Sequence, residues 1–133
     1  MSKRRVAITG IGILSPLGND LASSWDGIVN GRSGIGPITH FDASAFATRI
    51  SGEVKGFDAA QWLPAKDIKK MDPFVHYGVA AALMSIADAG LAIEGEAAER
   101  IGVAIGAGIG GLHGIEETTL KYAAGGPRKV SPF

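Results

Sequence analysis

Two apolar runs frame the chain. Residues 5–9 (RVAIT) and 101–105 (IGVAI) are β-branched, apolar and scarcely alternating, which is the pattern of strands covered on both faces. Elsewhere the apolar positions take helical spacing. Leu21, Ala22, Trp25, Ile28 and Val29 fall on one helix face, with Asn19 or Asp20 as the N-cap and Asn30-Gly31 as the stop. Asp72-Pro73 opens a second helix that runs to about Ala89 and ends at Gly90. Ala80, Ala81, Ala82, Leu83, Ile86 and Ala87 leave this helix almost no polar face, so it is expected to be central and enclosed. A third helix spans about 112–123 and breaks at Gly125-Gly126-Pro127.

The connections are irregular. Residues 33–44 read as a Gly/Pro-containing loop and 49–54 as a short strand. Residues 57–70 form a mixed segment anchored by Trp62 and Leu63, and 94–100 a polar connection. The order is strand, helix, long insert, helix, strand, helix, an α/β pattern. Two or three strands do not complete a doubly covered sheet. Residues 130–133 (VSPF) read as the approach to another element, so the pattern describes the front part of a larger fold.

Composition narrows the partners. Lys+Arg and Asp+Glu number 13 each, so no overall basic charge attracts nucleic acid, and electrostatic recognition must come from a local patch. There is no cysteine, hence no disulfide, thiolate metal site or thiol nucleophile in these 133 residues. Lys3-Arg4-Arg5 before an apolar stretch resembles the start of a signal peptide, but Gly10 and Gly12 cut that stretch, and a first strand is the better reading. Residues 74–91 carry His76, Ser85 and Asp88 and fall short of the ~20 residues of a membrane span.

The chemistry centres on residues 100–112 (RIGVAIGAGIGGL), an apolar run followed by a glycine-rich turn and a helix. Gly106-Ala107-Gly108-Ile109-Gly110-Gly111 matches the dinucleotide fingerprint in form. That fingerprint also needs an acidic residue about 20 positions on, and residues 129–133 hold none. No G-K-[ST] follows, which excludes a P-loop. The glycines are therefore read as serving close packing or a substrate channel, with a Rossmann-like nucleotide module as the lesser alternative. His40, His76 and His113 lack metal-ligand spacing, and His76 reads as a core histidine. Lys66, Lys69 and Lys70 share one face of a short helix, and Arg128-Lys129 adds a second basic pair. By spacing alone these are either a solvated face or a docking patch for an acidic partner.

Five blocks carry a resemblance: RRVAITGIGILSPLGND, SGIGPITHFDASAFATRISGEV, KKMDPFVHYGVAAALMSIADAGL, RIGVAIGAGIGGL and GGPRKVSPF. Together, over essentially the whole chain, they resemble the N-terminal part of a β-ketoacyl-acyl-carrier-protein synthase, nearest to the synthase II type of fatty-acid elongation. The resemblance implies a thiolase-like fold with two halves in an α-β-α-β-α layering, working as a cytoplasmic homodimer. Residues 1–133 would supply the N-terminal portion of the first half, with no second domain. The implied reaction is a decarboxylative Claisen condensation with acyl carrier protein as partner and no cofactor, nucleic acid or membrane involved. It uses a Cys thiolate at a helix N-terminus and two His residues that stabilise developing negative charge.

This chain has no Cys, and its three His do not match the catalytic ones, so no catalytic residue is assigned and the isolated chain is expected to be inactive. A polyketide-type synthase or a silent partner subunit are the alternatives. The resemblance assigns Ile109, with Gly108 beside it, to a gate at the distal end of an acyl pocket, and Phe133 to the approach toward the dimer interface and neighbouring pocket. Lys66, Lys69, Lys70, Arg128 and Lys129 match the carrier-protein docking surface.

Overall fold

The computed structural model describes residues 3–131. Among the described residues lie five α-helices: α1 (Leu21–Val29), α2 (Ala65–Ile68), α3 (Pro73–Asp88), α4 (Gly95–Ala98) and α5 (Leu112–Gly125). Two strands, β1 (Gly36–Pro37) and β2 (Ile50–Ser51), pair antiparallel with Gly36 opposite Ser51. Among the described residues they form the one sheet.

The helix ends follow local chemistry. The Asp20 carboxylate accepts from the Ser23 N–H at 2.7 Å and caps α1, and Gly31 takes φ +63° just past its end. That backbone hydrogen bond holds the Asp20 carboxyl below its ordinary value. Pro73 occupies the first turn of α3, and Gly90, at φ +59°, follows its last turn. The expected polar connection at 94–100 also contains one turn of helix, α4.

Helix α3 is the platform. Residues 10–12 lie directly on it: a Cβ at Gly10 would meet the Ser85 carbonyl and one at Gly12 the Ala81 carbonyl. The Asp88 carboxylate accepts from the Ile11 N–H at 2.8 Å, pinning the N-terminal run to the far end of the helix. On the other flank, Ile105 approaches Gly78. His76 is buried, and its Nε2 lies 3.2 Å from the Ile68 carbonyl. A carbonyl only accepts, so Nε2 carries the proton, and the ring ties α2 to α3.

Two expectations change. Residues 5–9 and 101–105 form no ladder among the described residues, because neither run has a partner strand beside it. Their side chains stand open, with Val6 at 92% and Val103 at 80% exposure. Helix α3 is central but not enclosed, for the same reason: only His76 and Ala80 are buried along it. The apolar face of α1 points outward, leaving Trp25, Ile28 and Val29 exposed. The chain instead packs the small face of that helix. Ser24 bonds to the Ser15 hydroxyl at 2.8 Å and to the Gly18 carbonyl, and Gly27 lets Leu17 come close.

Candidate functional site

An apolar groove of about 630 Å³ runs between residues 12–14, the N-terminal half of α3 and the turn at 105–110. Phe74, Gly78 and Ala81 form its floor, while Gly106, Gly108 and Ile109 line the opposite wall. Its lining contains no charged side chain, and Tyr77 is its one polar-tipped residue. Such a surface suits an alkyl chain. Ile109 is 70% exposed at its rim.

The glycines of the turn serve three different needs. Gly106 and Gly108 have open space where a side chain would stand, so they widen the groove. Gly110 takes φ +81°, the left-handed conformation that only glycine enters without strain, beside the Phe74 ring. Gly111 has φ −91°, which any residue tolerates, yet a Cβ there would coincide with the Asp72 carboxylate. A Cβ on Gly114 would stand 2.6 Å from the same carboxylate. Asp72 therefore fills the start of α5, where a bound pyrophosphate would have to sit in a dinucleotide site. An anion already occupies that place, which argues against the nucleotide-module reading.

The sequence marks Asp72 as the N-cap of α3. It holds the cap position, but its side chain makes no capping bond to its own helix. Its carboxylate reaches across to α5 instead. The signal for this was present in Gly111 and Gly114, whose spacing clears a path on one helix face, but nothing in the sequence says which residue uses it.

The basic residues divide. Helix α2 stops at Ile68, so Lys66 lies within it while Lys69 caps it and Lys70 lies beyond. Lys69 and Lys70 follow in a turn, where the Lys70 N–H bonds back to the Asp67 carbonyl, and Pro73 then starts a new helix. Lys69 and Lys70 line a polar cleft of about 560 Å³ together with Asp72, Glu117, Lys121 and Ser131. Lys121 pairs with Glu117 at 2.8 Å, which pulls the Glu117 carboxyl below its ordinary value. Arg128 and Lys129 form a tight turn after α5, outside this cleft, with the Lys129 stem folded over Gly125. Phe133 lies outside the described residues.

One polar cluster escaped the sequence reading. Glu53 accepts from the Thr39 hydroxyl at 2.6 Å, the Thr39 N–H at 2.9 Å and the Ser51 hydroxyl at 3.1 Å, with His40 Nε2 at 4.0 Å. These bonds, the Thr39 hydroxyl first, draw its carboxyl down to about 2. The cluster latches residues 38–40 to residues 51–53, and Tyr77 lines both the hollow beside it and the apolar groove. Among the described residues, no three His, Asp or Glu side chains gather as metal ligands would, and no helix is long and apolar enough to cross a membrane.

Comparison with known proteins places this geometry. The family model described as the N-terminal domain of β-ketoacyl synthases matches residues 3–133. Relatives named 3-oxoacyl-[acyl-carrier-protein] synthase 2 align over the chain. That of Vibrio cholerae is 54% identical over 133 residues, all of this chain and 32% of its own length. That of Coxiella burnetii is 49% identical with the same coverage, and that of Staphylococcus aureus 41% over 130 residues. The chain thus spans about a third of the length of these relatives. Among solved structures, the ishigamide ketosynthase/chain length factor superposes with TM-score 0.77 at 33% identity, covering 98% of this chain and 33% of its own. A type II PKS acyl-carrier protein in complex with its ketosynthase gives TM-score 0.73 at 22% identity, covering 94% of this chain and 33% of its own, and speaks to the fold alone. The backbone is an incomplete α/β thiolase-like arrangement, even though its central runs lack ladder partners among the described residues.

Proposed function

The chain belongs to the β-ketoacyl synthase family, and on that premise we propose that it forms the acyl-groove and docking part of a type 2 3-oxoacyl-[acyl-carrier-protein] synthase. The observation that carries this reading is the apolar groove beside the glycine turn, in a chain 54% identical throughout to a relative named for that activity. In the condensation, a thiolate attacks the acyl thioester carbonyl and the carrier's thiol leaves. The malonyl C–CO₂ bond then breaks, and its electron pair forms the new C–C bond while the enzyme's thiolate departs. These 133 residues hold no Cys, so the thiolate comes from elsewhere in the polypeptide.

This chain's own residues bind and orient. Gly106 and Gly108 leave room for the alkyl chain, and Ile109 closes or opens its far end. Lys66, Lys69, Lys70, Arg128 and Lys129 meet the acidic carrier protein, and the protein works as a cytoplasmic homodimer. The bare runs at 5–9 and 101–105 support completion of the sheet by further chain, since exposed apolar surface of this kind marks an unfilled interface.

The test supplies the complete polypeptide with acyl- and malonyl-acyl-carrier protein and follows the 3-oxoacyl product by mass spectrometry. One round of two-carbon extension is expected, and no product overturns the reading. The isolated chain is expected to give none. A second reading, a polyketide-type synthase, is favoured by the 33% identical ketosynthase/chain length factor. Repeated extension without reduction of the keto groups would select it.

A further inference from the structure

We propose that Asp72 is the positioning residue for Ile109, and that the contact of its carboxylate with Gly111 and Gly114 sets how far Ile109 stands over the groove. The selectivity part of this inference rests on the acyl-groove reading above. Asp72 and Phe74 sit at the N-terminal end of α3 and together form a seat for the turn. Phe74 lies against Gly110, 3.7 Å from where a Cβ would stand, and the Asp72 carboxylate lies against Gly111. Ile109 precedes these two glycines directly and joins them through the left-handed bend at Gly110. The seat therefore grips the chain one and two residues after the gate. A shift of α5 relative to α3 has to move Ile109 with it.

Charge favours the same arrangement. The 14 residues of α5 begin at Leu112 with Gly111 as N-cap, and no side chain hydrogen-bonds as a cap there. A carboxylate beside that terminus interacts favourably with the helix dipole without a hydrogen bond to it. The same carboxylate lines the polar cleft with Lys69 and Lys70, so the seat joins the cleft on one side to the groove on the other. Gly111 is thus required for the room it leaves Asp72 and not for its own backbone angles.

The test uses the complete polypeptide and four variants: Asp72→Asn, Asp72→Ala, Gly111→Ala and the Asp72→Ala/Gly111→Ala double. Competition between short and long acyl-carrier proteins is expected to show Asp72→Ala and Gly111→Ala each shifting the kcat/KM ratio ~5-fold or more. The kcat for the shortest acceptor is expected to stay within about two-fold of the parent. Asp72→Asn, which keeps the shape, is expected to shift the ratio less than Asp72→Ala. In the double variant the carboxylate is gone and only the position-72 Cβ, 2.8 Å from the new methyl, remains, so the second change is expected to add less than it does in the parent, a coupling that independent sites do not show. Additive shifts, or unchanged selectivity in Asp72→Ala, overturn the proposal. Hydrogen exchange of residues 108–115 reads the seat without turnover: about ten-fold faster exchange in Asp72→Ala supports it, and an unchanged rate overturns it. A parent that condenses nothing overturns the acyl reading and the selectivity role with it, while exchange still judges the seat.

Discussion

The segment around Glu53 and the turn around Ile109 are both loop-rich, and they are held by opposite means. The first is closed by its own polar groups. Glu53 gathers three hydrogen bonds from Thr39 and Ser51, β1 and β2 pair, and Gly34 and Gly52 pack over Pro16. The second has almost no polar bonds of its own. It stands on α3 by steric fit, with glycines admitting Phe74 and Asp72, and its large side chain faces open space. A segment that satisfies its own donors and acceptors is finished locally. A segment held by shape on one side leaves its other side available for a ligand or for further chain.

The comparison breaks most severely at the platform. Gly12→Ala places a methyl on the Ala81 carbonyl of α3, a backbone atom that cannot swing away. Lifting residues 10–14 off the helix is expected to cost about 3 kcal/mol, read as a lowered denaturation midpoint of the complete polypeptide. Gly108→Ala, on the same groove but with nothing near it, is expected to leave that midpoint unchanged. The contrast between the two separates glycines that pack from glycines that make room.

A smaller effect is expected from Ile109→Phe. The larger side chain shortens the accepted acyl chain, with long-chain use falling ~10-fold against short-chain use in a competition assay. Unchanged preference would remove Ile109 from the gate. Smaller again is Lys66→Glu/Lys69→Glu, expected to raise KM for acyl-carrier protein about five-fold with kcat kept, while added salt weakens the parent's binding. Salt-independent binding would argue against that surface.

The Glu53 latch gives the gentlest and most local change. Its folded carboxyl lies near 2, below the ordinary value of 4.5, so the stabilisation it lends is complete above about 4.5. It declines as pH falls toward 2 and is absent below. Exchange of the Thr39 amide should quicken across that window relative to intrinsic rates. Glu53→Gln should abolish the pH dependence of this protection without altering acyl selectivity.

Much of this was legible in the chain. The Asp20 cap, the Asn30-Gly31 stop, Pro73 and Gly90 mark helix ends by short-range chemistry, and the helices begin and end there. The glycine turn and its apolar neighbours likewise announce a close approach. What could not be read depends on contacts between distant positions. The apolar spacing of α1 identifies a face but not which face this chain covers, and Ser24 and Gly27 won through Ser15 and Leu17. A strand needs a neighbour, so two convincing strand patterns remain unladdered where none is beside them. Asp72 looks like a cap because its sequence neighbours are helical, while its side chain answers to a helix some forty residues later. Glu53 gives no pattern at all, since Thr39 and Ser51 flank an irregular loop.

The Ile11–Asp88 hydrogen bond spans 77 positions and so dictates an order of events. On a ribosome, at ~5–20 residues per second, the first run emerges on the order of ten seconds before the end of its helical seat has been made. Throughout that interval residues 10–12 have no helix to rest on. Residues 10–12 thus dock only after α3 has been made, and until then they are the natural point of capture for a nascent-chain chaperone.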